Sequence, residues 1–311
     1  MRVGLLYSQA GTNGDFAPVI DQIVAADSLG FDTVWIEDRP FEAQGLGAVA
    51  ITLAALAKRT RAIRLGTFRN LVFDHPARTA EDFAMVDLIS GGRLNFGATA
   101  GSGREAFRTY KVPFSERNER FREGLEFVVT AWSSDEFSYG GYHYRFPSHI
   151  AAGTGVRRKR FGDSAYRPQW ERGPELPDYL TVTPKPLQQP RPPVWILADA
   201  PELVTLAAER GHSVVLPHGE LGRLGAAADA YESALARNGR ERNEVELAVI
   251  VDVPVQDNRT PGNTLERVHK LHAATGLNQV IWRVPYPAVP HEAVMAALSQ
   301  FAGEVQPMLQ A

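Results

Sequence analysis

The amino-acid sequence predicts an α/β fold, namely a single-domain (β/α)8 TIM barrel with an insertion between its fourth and fifth strands. Eight short runs are rich in β-branched and aromatic residues, and longer segments of helical period separate most of them. Alternating strands and helices are typical of a parallel sheet, and eight such units can close into a barrel. The rhythm breaks once, between residues 134 and 192, which places the insertion.

The predicted strands are short and mostly apolar, as expected where both faces of a parallel sheet are covered. They are residues 2–8, 33–37, 63–68, 93–99, 193–198, 213–217, 246–253 and 279–284.

Turn and cap residues mark the helices between these strands. The helix after the first strand is predicted to end at Leu29 and Gly30, since glycine commonly follows a helix C-terminus. After the third strand, Asp74 or His75 is a possible N-cap, Pro76 fits the first turn, and a Gly-Gly pair ends the segment.

The insertion at 134–192 has two parts. The stretch "EFSYGGYHYRF" alternates aromatic and polar residues around two glycines, which predicts a β-hairpin. The segment 147–180 is rich in Gly, Pro, Arg and Trp. Long excursions of this kind are often lids, and loops that follow barrel strands build the active face. We therefore expect a lid over that face.

Composition narrows the class of function. The 311 residues carry a net charge of -3, which provides no general attraction for nucleic acid. The absence of cysteine excludes disulfides, thiolate nucleophiles and sulfur-ligated metals. No metal-binding motif is evident. Without a signal peptide or an 18-residue apolar stretch, we expect no membrane contact and a cytoplasmic location.

Five stretches in order along the chain resemble the bacterial luciferase-like superfamily of flavin- or deazaflavin-dependent oxidoreductases. They are "GFDTVWIEDRPF", "TRAIRLGTFRNLVFDHPARTAEDFAMVDLISGGRLNFG", "EAFRTYKVPFSERNERFREGLEFV", "PKPLQQPRPPVWILA" and "FAGEVQPML". They cover nearly the whole chain. The resemblance implies one barrel domain over residues 1–311, with 134–192 as its insertion or lid.

The resemblance also implies an activity. The expected enzyme is a two-component monooxygenase that uses reduced FMN (FMNH2) from a separate flavin reductase. It would hydroxylate an organic small molecule, such as one of secondary metabolism, or insert oxygen in a Baeyer–Villiger reaction. A homodimer is expected. Two alternatives are an F420-dependent oxidoreductase that transfers hydride, and a barrel that has lost flavin chemistry and serves as a binding or partner subunit.

The same resemblance assigns cofactor-binding positions at the ends of the third, fourth and fifth strands. They are Phe68, Arg69, Asn70, Thr99, Gly101, Ser102, Ala198 and Asp199. Relatives often have a non-proline cis peptide at the place of the Phe68–Arg69 bond. Ala100 stands where an arginine often binds the cofactor phosphate, and the stretch after the fifth strand lacks the usual hydroxyl groups.

Three residues are candidates for catalysis: Arg39, Asp38 and His218. Arg39 stands where relatives place a histidine, but arginine stays protonated and cannot be a general base. It is expected to act as an anion clamp or electrostatic stabiliser. The alternative is an ion pair at the rim, in which Glu37 or Asp38 pairs with Arg39 or with a barrel neighbour such as Arg69. His218, after the sixth strand, is the replacement acid or base, whereas His75 is a cap or packing residue.

Overall fold

The computed structural model describes residues 1–11, 14–42, 45–158, 178–252 and 261–310. The chain divides into two compact units. The first comprises residues 1–69, 93–99 and 193–311, and the second comprises 70–92 and 100–192.

The described elements, in chain order, are β1 (Arg2–Tyr7), α1 (Ala17–Ser28), β2 (Thr33–Glu37), α2 (Val49–Arg59), β3 (Arg64–Asn70), α3 (Pro76–Ser90), β4 (Leu94–Thr99), α4 (Arg104–Thr109), α5 (Arg117–Ser133), β5 (Phe137–Gly140), β6 (Arg145–Phe146), β7 (Gly155–Arg158), β8 (Val194–Leu197), α6 (Pro201–Arg210), β9 (Ser213–Leu216), α7 (Leu221–Arg237), β10 (Leu247–Asp252), α8 (Pro261–Thr275), β11 (Gln279–Arg283), α9 (His291–Glu304) and α10 (Gln306–Gln310).

Eight strands close into one barrel, which confirms the predicted fold class. Their order around the barrel is β1, β2, β3, β4, β8, β9, β10 and β11, and β11 pairs in parallel with β1 to close the ring. Each predicted strand agrees with its observed counterpart to within two residues at either end. Residue 253, at the end of the seventh prediction, lies outside the described residues.

Aromatic rings fill the barrel interior. The rings of Trp35 and Phe68 stack with centroids 4.7 Å apart and planes 5° from parallel, and Trp195 meets Trp35 edge-on at 5.5 Å. Gly66 and Gly97 make room for them, because a Cβ at Gly66 would overlap the Trp35 ring. A Cβ at Gly97 would lie 2.9 Å from Trp35 Cζ3, closer than real side chains approach.

The predicted turns and caps are present. Gly30 has φ +82° two residues after the end of α1, and Gly91 has φ +68° directly after α3, both in the left-handed region that favours glycine. Of the two proposed caps for α3, His75 takes the role, because its Nδ1 accepts the Ala77 N–H at 3.2 Å. The interpretation of His75 as a cap is confirmed.

In the second unit, β5 and β6 form the predicted antiparallel hairpin. A third strand that the sequence did not predict, β7, pairs antiparallel with the other edge of β5. Rings of Phe127, Phe137 and Phe146 pack together with centroids 4.9–5.4 Å apart. Residues 159–177 of the expected lid lie outside the described residues, so the lid stays a prediction.

The end of α5 is held by a buried lysine of the second unit. Lys185 Nζ donates to the carbonyl oxygens of Ala131 and Ser134 at 2.6 and 2.7 Å. Burial lowers the pKa of Lys185 to about 8, against an opposing effect of Asp135. A cation at the carboxyl end of a helix complements the helix dipole, so this contact anchors the "PKP" stretch to α5.

Within the described part of the chain, no helix combines the length and the hydrophobicity needed to cross a bilayer.

Candidate active site at the carboxyl ends of the barrel strands

Strand alternation decides which charges of "WIEDRPF" face the barrel interior. Successive side chains of a strand point to opposite faces, so Glu37 lies on the same face of β2 as Trp35, which belongs to the interior cluster. Asp38 follows on the opposite face. On β3, Phe68 points inward and Arg69 therefore points outward. Glu37 is thus the charge that lies above the aromatic interior.

Glu37 is the centre of a polar cluster at the mouth of the barrel. Its Oε2 accepts a hydrogen bond from Ser8 Oγ at 2.6 Å and lies 3.3 Å from Arg39 NH1. Arg39 Nε also donates to Glu42 Oε2 at 2.6 Å. Burial alone would lower the pKa of the Arg39 guanidinium, but the hydrogen bond to Glu42 and the charge of Glu37 outweigh it and raise that pKa. Arg39 is therefore a fixed positive charge.

Sequence reasoning missed Glu37 and Ser8 as site residues. The period of two from Trp35 to Glu37 was the signal that would have found the carboxylate. Ser8 needed the structure, because it follows a different strand, β1, and lies 29 residues from Glu37 in sequence.

Asp38 and Arg69 form a buried ion pair with each other. Their side chains are 1% and 15% exposed, and Arg69 NH1 donates to Asp38 Oδ2. The Asp38 N–H also donates to the Phe68 carbonyl at 3.2 Å, which extends the pairing of β2 and β3 past Glu37. Two ion pairs of the kind described by the rim alternative are therefore present, Glu37 with Arg39 and Asp38 with Arg69.

The expected cis peptide between Phe68 and Arg69 is wrong. The cis bonds of the described chain all precede proline, and this bond is trans. The physical reason is that β3 continues as regular strand through Asn70, with the Phe68 carbonyl engaged by Asp38. Phe68 is fully buried in the barrel interior.

Thr99 is the last residue of β4 and is buried, whereas Asn70, Gly101 and Ser102 belong to the second unit. Gly101 has φ +73°, and its carbonyl accepts a hydrogen bond from Arg117 NH1 at 2.9 Å. A Cβ at Gly101 would lie 2.6 Å from Asn70 Oδ1. Close approach and positive φ both require glycine here.

A cleft of about 330 Å³ opens beside the ends of β8 and β9. Ala198, Asp199 and the first turn of α6 form one wall, α7 forms the other, and His218 lies between them. The cleft thus brings together three residues that were assigned from the sequence, Ala198, Asp199 and His218.

His218 also approaches a charged pair on the next two strands. Its Nδ1 lies 3.6 Å from Asp252 Oδ2, and Asp252 Oδ1 lies 3.1 Å from Arg283 NH1. Asp252 and Arg283 were not singled out in the sequence. Their position as final residues of β10 and β11 was the available signal, since catalytic groups in barrels cluster at strand ends. The roles assigned to all these residues stay predictions.

Comparison with known proteins identifies the family to which this chain belongs. A family model described as luciferase-like monooxygenase matches residues 1–160 and 165–297.

Two curated relatives illustrate its range. The oxygenase component of a flavin-dependent trigonelline monooxygenase from Acinetobacter baylyi is 28% identical over 168 residues, covering 53% of this chain and 38% of that protein. An F420-dependent glucose-6-phosphate dehydrogenase from Amycolatopsis mediterranei is 31% identical over 176 residues, covering 46% of this chain and 50% of that protein. The match thus spans half or less of either relative's length.

A solved structure supports the fold. The crystal structure of monooxygenase RslO1 from Streptomyces bottropensis superposes with a TM-score of 0.82 and 21% identity, covering 99% of this chain and all of that chain.

The Asp38–Arg69 pair generates a stability prediction. Asp38→Asn removes the carboxylate that Arg69 NH1 contacts in a mostly buried environment, so we expect the free energy of unfolding to fall by about 3 kcal/mol. The double variant Asp38→Asn/Arg69→Met should lose less than the sum of the two single variants, because each single variant already removes the interaction between the two side chains. Urea unfolding measures all three.

The control for that prediction is Glu105→Gln. Glu105 pairs with Arg108, but both side chains are more than two-thirds exposed, and we expect a change below about 1 kcal/mol. Equal effects of Asp38→Asn and Glu105→Gln would contradict a structural role for the buried pair.

Proposed function

Because the chain belongs to the luciferase-like monooxygenase family, we propose that it is the oxygenase component of a two-component FMN-dependent monooxygenase. The substrate is an organic small molecule, which is hydroxylated or receives oxygen by Baeyer–Villiger insertion. A separate flavin reductase supplies reduced FMN. The observation that carries the proposal is the family match over residues 1–160 and 165–297. The relative named as a flavin-dependent oxygenase component supports the two-component form.

The residues at the strand ends fit a flavin. Reduced FMN, when bound, supplies the electrons for oxygen activation, while the protein binds, orients and excludes water. The cleft volume of about 330 Å³ lies within the usual range of small-molecule sites. Small side chains at Ala198, Ala227 and Ala230 leave that space open. We infer that the Thr99 hydroxyl and the backbone at Ala198 and Asp199 hold the cofactor.

The cofactor roles of Phe68, Asn70, Gly101 and Ser102 rest on the family resemblance and remain part of the proposal. Arg69 differs from these residues, because its guanidinium forms an ion pair with Asp38 on the outward face of β3. We infer that the Asp38–Arg69 pair holds together the ends of β2 and β3, which carry Glu37 and Phe68.

Arg39 is proposed as an electrostatic stabiliser. The carboxylates of Glu37 and Glu42 fix its guanidinium at the mouth, and its raised pKa keeps it charged. A positive charge held in place stabilises an anionic substrate or an anion that develops during oxidation. Proton transfer falls instead to His218.

The second candidate is hydride transfer with F420. It is favoured by the relative named as an F420-dependent dehydrogenase, which is 31% identical over its matched segment. A barrel that has lost flavin chemistry is the third possibility, and the titration below distinguishes all three.

The cofactor prediction is tested by titrating the full chain with reduced FMN, oxidised FMN and F420 under anaerobic conditions. We expect saturable binding of reduced FMN, measured by calorimetry and by flavin fluorescence. Riboflavin is the matched ligand without phosphate. Selective binding of F420 would replace the first proposal by the second, and binding of none would leave the partner-subunit alternative.

Arg39 gives a separate prediction. Arg39→Ala should reduce turnover or substrate affinity at least tenfold, because the fixed charge is lost. Its side chain is 37% exposed, so unfolding free energy should change by less than about 1 kcal/mol. Steady-state kinetics and thermal unfolding are measured together.

The matched control is Arg78→Ala. Arg78 also contacts two carboxylates, Glu81 and Asp82, but on the exposed surface of α3. Kinetics that are equally unaffected in both variants would identify the Arg39 contacts as an ordinary ion pair at the rim.

We also propose a homodimer. On α3, Met85, Leu88 and Ile89 are 44%, 39% and 37% exposed, and their spacing places them on one helical stripe. Light scattering should give twice the mass of one chain, and Leu88→Glu should shift it toward the monomer. Tyr142→Glu, at an exposed aromatic of the second unit, is the control. A wild-type chain that is monomeric at high concentration would disprove the dimer.

A further inference from the structure

The imidazole of His218 lies where the cleft meets a charged pair. His218 lines the cleft, and its Nδ1 faces Asp252 Oδ2 at 3.6 Å. The other carboxylate oxygen of Asp252 faces Arg283 NH1 at 3.1 Å. Because β9, β10 and β11 are neighbours in the barrel, these three side chains stand side by side at the carboxyl ends of their strands.

We propose that Asp252 is a positioning residue that keeps the proton of neutral His218 on Nδ1 and leaves Nε2 to exchange a proton with a substrate hydroxyl. This inference rests on the proposed function, for which it names the proton-transfer group. An ionised carboxylate can only accept hydrogen bonds, so the ring nitrogen that faces it carries the proton. The other nitrogen is then the base.

The surrounding charges support this arrangement. Arg283 NH1 contacts Asp252 Oδ1, so the other carboxylate oxygen, Oδ2, is the one that faces His218. Arg267, on α8, donates to the Asp252 backbone carbonyl at 3.1 Å and holds the strand end. The other charged groups at the cleft are Asp199 on one wall and Arg223 on the other, which have opposite signs. The carboxylate of Asp252 is the charge placed at Nδ1.

The proton balance is simple. The proton of the substrate O–H moves to His218 Nε2, the O–H electron pair stays on the substrate oxygen, and the imidazolium faces the Asp252 carboxylate. The same proton returns to the product or to water later. The distance of 3.6 Å is longer than a hydrogen bond, as is common before a ligand tightens such contacts.

The arrangement can be tested without turnover. The full chain is labelled with ¹⁵N-histidine, and both ring nitrogens are observed by NMR at alkaline pH, where histidine is neutral. The chain has 8 histidines, so His218→Gln assigns the signal. His218 should be protonated on Nδ1 in the wild type. In Asp252→Asn the proton should move to Nε2, because the amide can donate to Nδ1.

Two controls are available in the same molecule. Glu246→Gln removes a carboxylate that immediately precedes β10 and pairs with Arg2, so the His218 signal should not change. His272 Nδ1 lies 3.0 Å from the Leu277 carbonyl and serves as an internal reference for an Nδ1-protonated ring. Asp252 is about half exposed, so Asp252→Asn should fold, which circular dichroism verifies.

A wild-type ring protonated on Nε2, or an Asp252→Asn ring unchanged from wild type, would overturn the inference. With turnover established, His218→Gln should lose about 100-fold in kcat, and Asp252→Asn should lower kcat and change its pH profile, with reduced FMN binding unaffected. Unchanged kinetics in both variants would remove this role and leave the proposed function standing. If neither FMN nor F420 binds, the proposed function and the proton-transfer role fall, while the NMR result still decides whether Asp252 positions His218.

Discussion

The structure depends on the packing of the Trp35 ring inside the barrel. The Trp35 indole is fully buried and stacks on Phe68. It fits there because Gly66 and Gly97, on the neighbouring strands, have no side chains that would collide with the ring. Protein interiors are close-packed, so a ring of this size locks the register of the strands around it. The positions of the strand ends, and hence of every polar group at the mouth, follow from that register.

The pleat of β2 determines which of the charged side chains after Trp35 face the barrel interior. Since Trp35 points inward, Glu37 points inward two residues later, and Asp38 must point outward. One carboxylate therefore holds Arg39 at the mouth, and the next is buried against Arg69. Two adjacent acidic residues have different surroundings and, in our proposal, different tasks.

In our proposal, different residues at the mouth provide electrostatic stabilisation and proton transfer. Arg39 remains a cation and cannot act as a base near neutral pH, so our proposal assigns proton transfer to His218. Arg39 follows β2 and His218 follows β9. Arg39 contacts Glu37 and Glu42, whereas His218 lies 3.6 Å from Asp252. The loss of a histidine after β2 is thus compatible with proton transfer at another part of the rim.

The sequence by itself determined the barrel, its strand positions, the start of α3 near Asp74 or His75, its end at Gly91, and the hairpin of the insertion. These follow from local patterns: alternation, helical period and the special conformations of glycine and proline. The family resemblance assigned site residues to the ends of β2, β3, β4 and β8, and these assignments stay predictions. It also implied a cis peptide after Phe68, which was wrong because the pairing of Asp38 with β3 keeps that strand regular.

Only the tertiary structure decided which charges meet. Ser8 with Glu37, Asp38 with Arg69, and His218 with Asp252 and Arg283 join strands that are 29 or more residues apart in sequence. Such contacts depend on barrel closure and on the register between strands, neither of which leaves a local signal. The charged residues can be read from the sequence, but which of them form pairs is set by the geometry that brings distant strand ends together.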